Sequence, residues 1–373
     1  MYRRQIFKLV VPLAQVKQRT LSTKSSATKT SSFAGLHISF SSLSLLFSSL
    51  LLLFFSECFF LLPFFLAFLE QETHKIPSVV HTVHDFRQIR SQLGPSVGFV
   101  PTMGSLHKGH LHLIKLAKQQ CKTVVSSIFV NPAQFAPHED IDKYPRTLEN
   151  DLAMLRSEGC DYVFVPNARE MYPSGIVLNV KEQVGTFVEV KGRSEQMEGW
   201  VRPHFFRGVA TVVLKLLNIV SPSHAFFGQK DAQQCVVIQA MAKDLFLPMD
   251  IVVGPTMREK DGLAMSSRNG YLSPSDREAG LILFKALSAA EALLQKGVVD
   301  RQQLLAAATK VVETEPRVKL EYFSLAHPSE LSEVDEIGPE GAILSGAIKT
   351  TSTRLIDNFI LKKGQPNSLL YVS

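Results

Sequence analysis

The side chains best suited to chemistry lie in Pro101-Thr102-Met103-Gly104-Ser105-Leu106-His107-Lys108-Gly109-His110. His107 and His110 are three apart, so they share a face on a helical turn. An apolar run at 97–100 precedes the stretch, and a helical pattern at 109–121 follows it. A strand that ends in a glycine turn and runs straight into a helix offers backbone N–H groups and a positive helix end to an anion. Two imidazoles at that mouth suit the phosphates of a nucleotide. The plainer alternative is a βα turn carrying two solvated histidines.

Four other segments carry polar groups in comparable places. Asn131-Pro132-Ala133-Gln134-Phe135 follows the run 123–130, and Gln134 offers a donor and an acceptor to a substrate bearing a hydroxyl and a carboxylate. Phe226-Phe227-Gly228-Gln229-Lys230-Asp231-Ala232-Gln233-Gln234 puts a glycine where backbone can approach a ligand. There Lys230 is a point charge for phosphate, Asp231 an acceptor for a ribose hydroxyl, and Gln234 shares a helical face with Asp231. Within 257–269, Ser266, Ser267 and Arg268 form a compact anion clamp. His204-Phe205-Phe206-Arg207-Gly208 leads into a buried helical pattern, where Arg207 reads equally as a phosphate contact or a structural cap. No metal-ligand spacing and no Ser/His/Asp or Cys/His nucleophile arrangement stands out. His107, His110, Lys230 and Arg268 therefore point to activation at a nucleotide phosphate, which needs preorganised positive groups more than a protein nucleophile. Mg2+ is expected on those phosphates.

The elements that must hold these segments are legible as alternating patterns. Runs at 97–100, 123–130, 162–165, 224–227 and 249–253 read as strands, and 109–121, 147–158, 208–220 and 231–245 as helices. Leu148, Leu152 and Leu155 recur at helical spacing, with Gly159 as the stop. Such alternation predicts an α/β fold whose parallel sheet is covered on both faces and binds ligands at the carboxyl ends of its strands. After Pro255 come helices at 274–296, with Ser273 as N-cap and Pro274 at the first position, and at 300–315. Strand-like runs at 321–325, 342–349 and 354–360 complete a smaller α+β unit. The expected divisions are 1–75 as an extension outside the fold, 76–257 as the parallel-sheet domain and 258–373 as the smaller domain.

The net charge of +6 is misplaced for a nucleic-acid surface. Residues 1–76 hold eight Lys/Arg against three acids, leaving 32 against 31 in the rest, so the body is near neutral and nucleic acid is not an expected partner. Cys58, Cys121, Cys160 and Cys235 are scattered without C-x-x-C, and read as reduced, mostly buried thiols. Residues 1–56 contain no Asp or Glu but carry Arg3, Arg4, Lys8 and further bases among many Ser and Thr. That is the composition of an organellar transit peptide, so the location stays open between cytoplasm and mitochondrion, with the leader favouring the latter. The apolar stretch 44–69, interrupted by Glu57 and Pro63, is long enough to span a bilayer. It reads as a membrane anchor, as the apolar part of a targeting segment, or as a translated non-coding insertion.

In order, Pro-Thr-Met-Gly-x-Leu-His-x-Gly-His, Asn-Pro-x-Gln-Phe, Phe-Gly-x-Lys-Asp-x-Gln-Gln and Asp-Gly-Leu-Ala-Met-Ser-Ser-Arg-Asn resemble the pantoate–β-alanine ligase (pantothenate synthetase) family. The resemblance covers residues 76–361, including Thr353-Arg354-Leu355-Ile356-Asp357-Asn358. It implies a Rossmann-like domain followed by a small C-terminal lid, a homodimer, and ATP, (R)-pantoate and β-alanine as substrates. The pantoate carboxylate would attack the α-phosphorus of ATP, and the amine of β-alanine would then displace AMP to give pantothenate. ATP would lie against Met103, Gly104, Ser105, Leu106, His107, Lys108, Gly109 and His110, and against Gly228, Gln229, Lys230 and Asp231. Met257, Met265, Ser266, Ser267 and Arg268 would complete its pocket. The resemblance makes His110 a proton donor, puts Lys230 on phosphate and Asp231 on ribose, and gives pantoate to Gln134 and Gln234, with Gln134 beside the β-alanine position. Two positions depart from the family pattern: Gln229 where many members have Glu, and Ala326-His327-Pro328 where an acid commonly precedes Pro. Backbone contact at 229 makes the first harmless in this reading. Cytidylyl- and adenylyltransferases share the histidine turn but keep the nucleotide on a phosphate; residues 131–135 and 233–234 argue against them. The complete set of polar groups argues against a membrane-tethered scaffold with relic motifs.

Overall fold

The computed structural model describes residues 76–136 and 141–368; the basic leader, the apolar stretch 44–69 and Cys58 lie outside them. Strands β1 (Ser78–Val80), β2 (Val97–Thr102), β3 (Thr123–Ile128), β4 (Tyr162–Phe164), β5 (His224–Gly228) and β6 (Asp250–Gly254) form one sheet. Its order is β1-β4-β3-β2-β5-β6, and every pairing is parallel. Side chains alternate between the two faces with a period of two. Phe99, Val125 and Phe227 enter one core with helices α1 (Val83–Gln92), α5 (Phe205–Val220) and α6 (Ala232–Asp244). Val100, Val124 and Phe226 enter another with α2 (Lys108–Gln120) and α3 (Leu148–Ser157). Coverage on both faces explains the near-continuous apolar runs of these strands. Phe86, Phe99, Phe164 and Phe226 are fully buried, each removing enough apolar surface to stabilise by roughly 1.5–3 kcal/mol.

The chain lays β3 and β4 on one side of β2, then crosses back to set β5 on the other. This reversal opens a crevice at the carboxyl ends of β2 and β5, where open parallel sheets bind ligands. The short helix α4 (Glu198–Val201) precedes α5 in the irregular stretch that leads back. A second, antiparallel sheet follows, in the order β10 (Gln365–Ser368), β9 (Arg354–Lys362), β8 (Ala342–Lys349), β7 (Lys319–Ala326). Helices α7 (Pro274–Gln295) and α8 (Arg301–Val312) share a core with it through Leu283, Leu287, Leu304, Leu344 and Phe359. Ser273 caps α7 as expected, its hydroxyl accepting the Asp276 N–H at 3.1 Å.

Several elements differ from the sequence reading. β1 and α1 carry too little apolar periodicity to be seen: β1 is three residues long and α1 buries only Phe86. Helix α5 begins at Phe205, ahead of the expected 208, because Phe206 already faces the core. Cys121, Cys160 and Cys235 are buried thiols; burial pushes Cys160 up to about 12. Among the described residues no helix is long and apolar enough to cross a membrane.

Candidate active site

Gly104 and Ser105 take left-handed backbone, with φ of 81° and 51°. Asp151, fully buried on α3, holds that turn by accepting the N–H groups of Ser105 at 2.9 Å and Leu106 at 2.8 Å. His107 is the N-cap of α2: its Nδ1 accepts from the Gly109 N–H at 3.1 Å, and the His107 N–H donates to Nδ1 of His110 at 3.3 Å. With both Nδ1 atoms accepting, the proton of each neutral ring sits on Nε2. The ring centroids are 4.1 Å apart. Burial, aided by the Lys230 charge, lowers His107 to about 4. Burial, then the neighbouring His107 and Lys230, lowers His110 to about 3. Both imidazoles are neutral near pH 7 and offer Nε2–H donors. A Cβ at position 109 would fall 2.8 Å from the His107 ring, so the cap requires glycine there.

Other loops converge on this turn. Beyond β3, buried Asn131 donates through Nδ2 to Gln134 Oε1 at 3.0 Å and to the Gly208 carbonyl at 3.1 Å. Its Oδ1 accepts the Tyr172 hydroxyl at 2.6 Å. Helix α5 comes so close to the Pro132–Gln134 turn that a Cβ on Gly208 would sit 2.1 Å from the Ala133 carbonyl oxygen. Beyond β5, Lys230 Nζ stands 3.4 Å from Asp231 Oδ1. The Gln229 and Lys230 carbonyls accept from Asn358 Nδ2 at 2.9 and 2.8 Å. Beyond β6, Arg258 donates to both carboxylate oxygens of Asp357, at 2.6 and 3.0 Å. The Ser267 hydroxyl donates to the Ser105 carbonyl at 2.9 Å, tying the segment 266–268 to the histidine turn.

His107, His110, Lys230 and Arg268 line one cavity of about 220 Å3. Met103, Gly109, Gly228 and Asp231 face it, as do Met257, Met265, Ser266 and Ser267. Gln134 and Gln234 face it too. A second cavity of about 640 Å3 shares Lys230, Asp231, Gln234, Ser266 and Arg268 and extends toward the antiparallel sheet. Some expected residues stand apart: Gly104 and Ser105 shape the turn, Leu106 is buried in an apolar core, Lys108 is exposed and Gln229 is buried. Arg207 is a structural residue: it donates to Gln183 Oε1, lies 3.7 Å over the Phe187 ring and pairs with Glu189 at 3.4 Å. Sequence reasoning missed Asp151 and Tyr172 and gave no role to Asn358, all of which position the loops; it also missed Tyr144, which lines the cavity and whose hydroxyl burial pushes up against the pull of Arg268. Asp151 left one signal, an acid on the inward face of the first turn of α3.

Residues 78–360 match the family described as Pantoate-beta-alanine ligase. A pantothenate synthetase of Chloroflexus aggregans is 50% identical over 283 residues, covering 76% of this chain and 99% of that one. One of Acetivibrio thermocellus is 46% identical over 288 residues, with 76% and 99% covered. The crystal structure of pantothenate synthetase from Thermus thermophilus superposes with a TM-score of 0.71 at 41% identity, covering 76% of this chain and 99% of that one. That of pantoate-beta-alanine ligase from Francisella tularensis, complexed with beta-gamma ATP and beta-alanine, gives 0.62 at 33% identity, with 77% and 99% covered.

Proposed function

This chain belongs to the pantoate–β-alanine ligase family, and we propose that it joins (R)-pantoate to β-alanine, consuming ATP and releasing AMP and pyrophosphate through a pantoyl adenylate. The observation that carries this reading is that the Nε2–H donors of His107 and His110, the Lys230 ammonium and the Arg268 guanidinium share one cavity with Gln134 and Gln234. The nucleotide lies across the carboxyl ends of β2, β5 and β6, with its phosphates at the positive end of α2. Mg2+ comes in on the ATP phosphates, because the groups facing them are cations and neutral imidazoles rather than a ring of carboxylates.

Gln134 and Gln234 hold pantoate so that one carboxylate oxygen faces the α-phosphorus. That oxygen forms the new P–O bond as the bond to the pyrophosphate oxygen breaks. Negative charge grows on the phosphate oxygens, and His107, His110, Lys230 and Arg268 meet it without moving, which is where preorganised donors lower a barrier. The neutral amine of β-alanine next attacks the acyl carbon; the C–O bond breaks, AMP leaves with the former carboxylate oxygen, and the surplus proton on the nitrogen passes to solvent. With Nδ1 engaged by backbone, His110 acts as an Nε2–H donor. We also assign residues 258–373 to a lid over the nucleotide and the assembly to a homodimer. The test is product analysis on the full chain: pyrophosphate should need ATP and pantoate, and AMP should need β-alanine as well. A nucleotide retained on an acceptor phosphate, without AMP, would instead make the chain a nucleotidyltransferase.

A further inference from the structure

Arg354, at the start of β9, touches neither imidazole, yet it makes the densest ionic contacts near the site. It donates to Glu198 Oε2 at 2.6 Å and Oε1 at 2.7 Å, and through Nε to Glu321 at 2.5 Å. The Tyr322 hydroxyl donates to the same Glu198 carboxylate at 2.7 Å. Glu198 is only 8% exposed. Its N–H donates to Gln233 Oε1 at 3.0 Å, and Gln233 Nε2 donates back to the carbonyls of Arg193 and Gln196 at 3.1 and 2.8 Å. Four residues beyond Glu198, Arg202 donates to the Gln134 carbonyl at 3.2 Å. Helix α4 and its C-cap Arg202 therefore link the antiparallel sheet to the loop bearing Gln134 and to the first turn of α6, which bears Gln233 and Gln234. Its flanks are strained: Met197 has φ 44° and ψ −108°, and His204 has φ 70°. Such backbone persists only where the surroundings hold it. A buried ion pair adds little net stability once desolvation is counted, but a bidentate one fixes geometry.

We propose that Glu198 and Arg354 are positioning residues, a clasp through which the antiparallel sheet holds α4, and with it Gln134 and Gln233-Gln234, in the arrangement that binds the hydroxy acid. The clasp rests on the acid-binding reading of those glutamines. The Lys230 loop is held by Asn358 and the 266–268 segment by Ser105 rather than by the clasp itself, so the effect on the acid should exceed that on ATP.

The test uses the full chain carrying Glu198→Gln, Arg354→Gln or both. KM for pantoate and for ATP is measured by pyrophosphate release. The anisotropy of Trp200, the chain's single tryptophan and a residue of α4, is read without substrates. Each single change should raise the pantoate KM about tenfold, as when the competent arrangement is held by about a tenth of the molecules, and leave the ATP KM within about twofold. Trp200 anisotropy should fall, and the double variant should be no worse than the singles, because the Glu198–Arg354 pair is lost in all three. Equal rises in both KM values, additive losses, or an unmoved Trp200 would overturn the proposal. Should Arg354→Gln fail to fold, Tyr322→Phe keeps the pair and removes one bond; a pantoate-selective rise of a few-fold supports the clasp, and no rise refutes it. If the chain ignores pantoate altogether, the assigned reaction falls, while the Trp200 signal still decides whether the clasp holds α4.

Discussion

Replacing His110 with Asn would separate the titration of the histidine pair from its architecture. An Asn oxygen can stand where Nδ1 accepts the His107 N–H, so the cap of α2 survives while the Nε2–H donor and the ring's proton binding are lost. His107 falls from 6.5 to about 4 and His110 from 6.5 to about 3 on folding. A base whose native pKa is depressed contributes stability above its unfolded pKa and loses it as pH falls toward the native value. Between roughly pH 6 and pH 4.5, the unfolded chain thus binds up to two protons that the folded chain refuses, and each contributes up to about 1.4 kcal/mol per pH unit. The wild-type slope should exceed that of His110→Asn by close to one such increment. Urea unfolding across this range measures it by linear extrapolation. Carboxylates elsewhere titrate in both proteins and cancel in the difference. The same variant should slow single-turnover pyrophosphate release by about 10²–10³-fold, the scale of one lost transition-state donor. Identical slopes in the two proteins, or a ring titration midpoint near 6.5 by NMR, would refute the neutral-pair reasoning.

Lys230→Ala should slow pyrophosphate release by a similar factor of about 10²–10³ and raise the His107 titration midpoint, since Lys230 helps hold it down; an unchanged midpoint counts against their proximity. Gln134→Ala should raise the pantoate KM by roughly 2–10-fold, the scale of one lost hydrogen bond, with a smaller effect on ATP; equal effects contradict its role. Gly208→Ala should cost about 1–3 kcal/mol in urea unfolding, as overpacking does, because its Cβ meets the Ala133 carbonyl; an unchanged midpoint would show that the turn yields freely.

The parallel sheet, and the edge at which its polar loops gather, were legible because β2, β3 and β5 are buried on both faces, and each ends in a polar loop that the apolar runs throw into relief. The histidine turn was legible for the same reason: the spacing brings the His107 and His110 rings together, although His107 is the N-cap of α2 rather than a residue within it. What stayed hidden depends on distance in sequence. Asp151 reaches Ser105 across 46 positions and Asn358 reaches Lys230 across 128, so neither bond leaves a local pattern. Arg207 could not be decided from its position at a helix entrance, because its partners Gln183, Phe187 and Glu189 lie in an irregular stretch without periodicity. β1 and β10 escaped notice as short edge strands, three and four residues long, with too few positions to show a pattern.

The central claim is that a carboxylate oxygen attacks the α-phosphorus within the cavity shared by His107, His110, Lys230 and Arg268. It is tested most directly with pantoate labelled with oxygen-18 in its carboxylate, incubated with the full chain, ATP and β-alanine. The account predicts AMP carrying one labelled oxygen and pyrophosphate carrying none. Label in pyrophosphate or in ADP, or AMP without label, would contradict it.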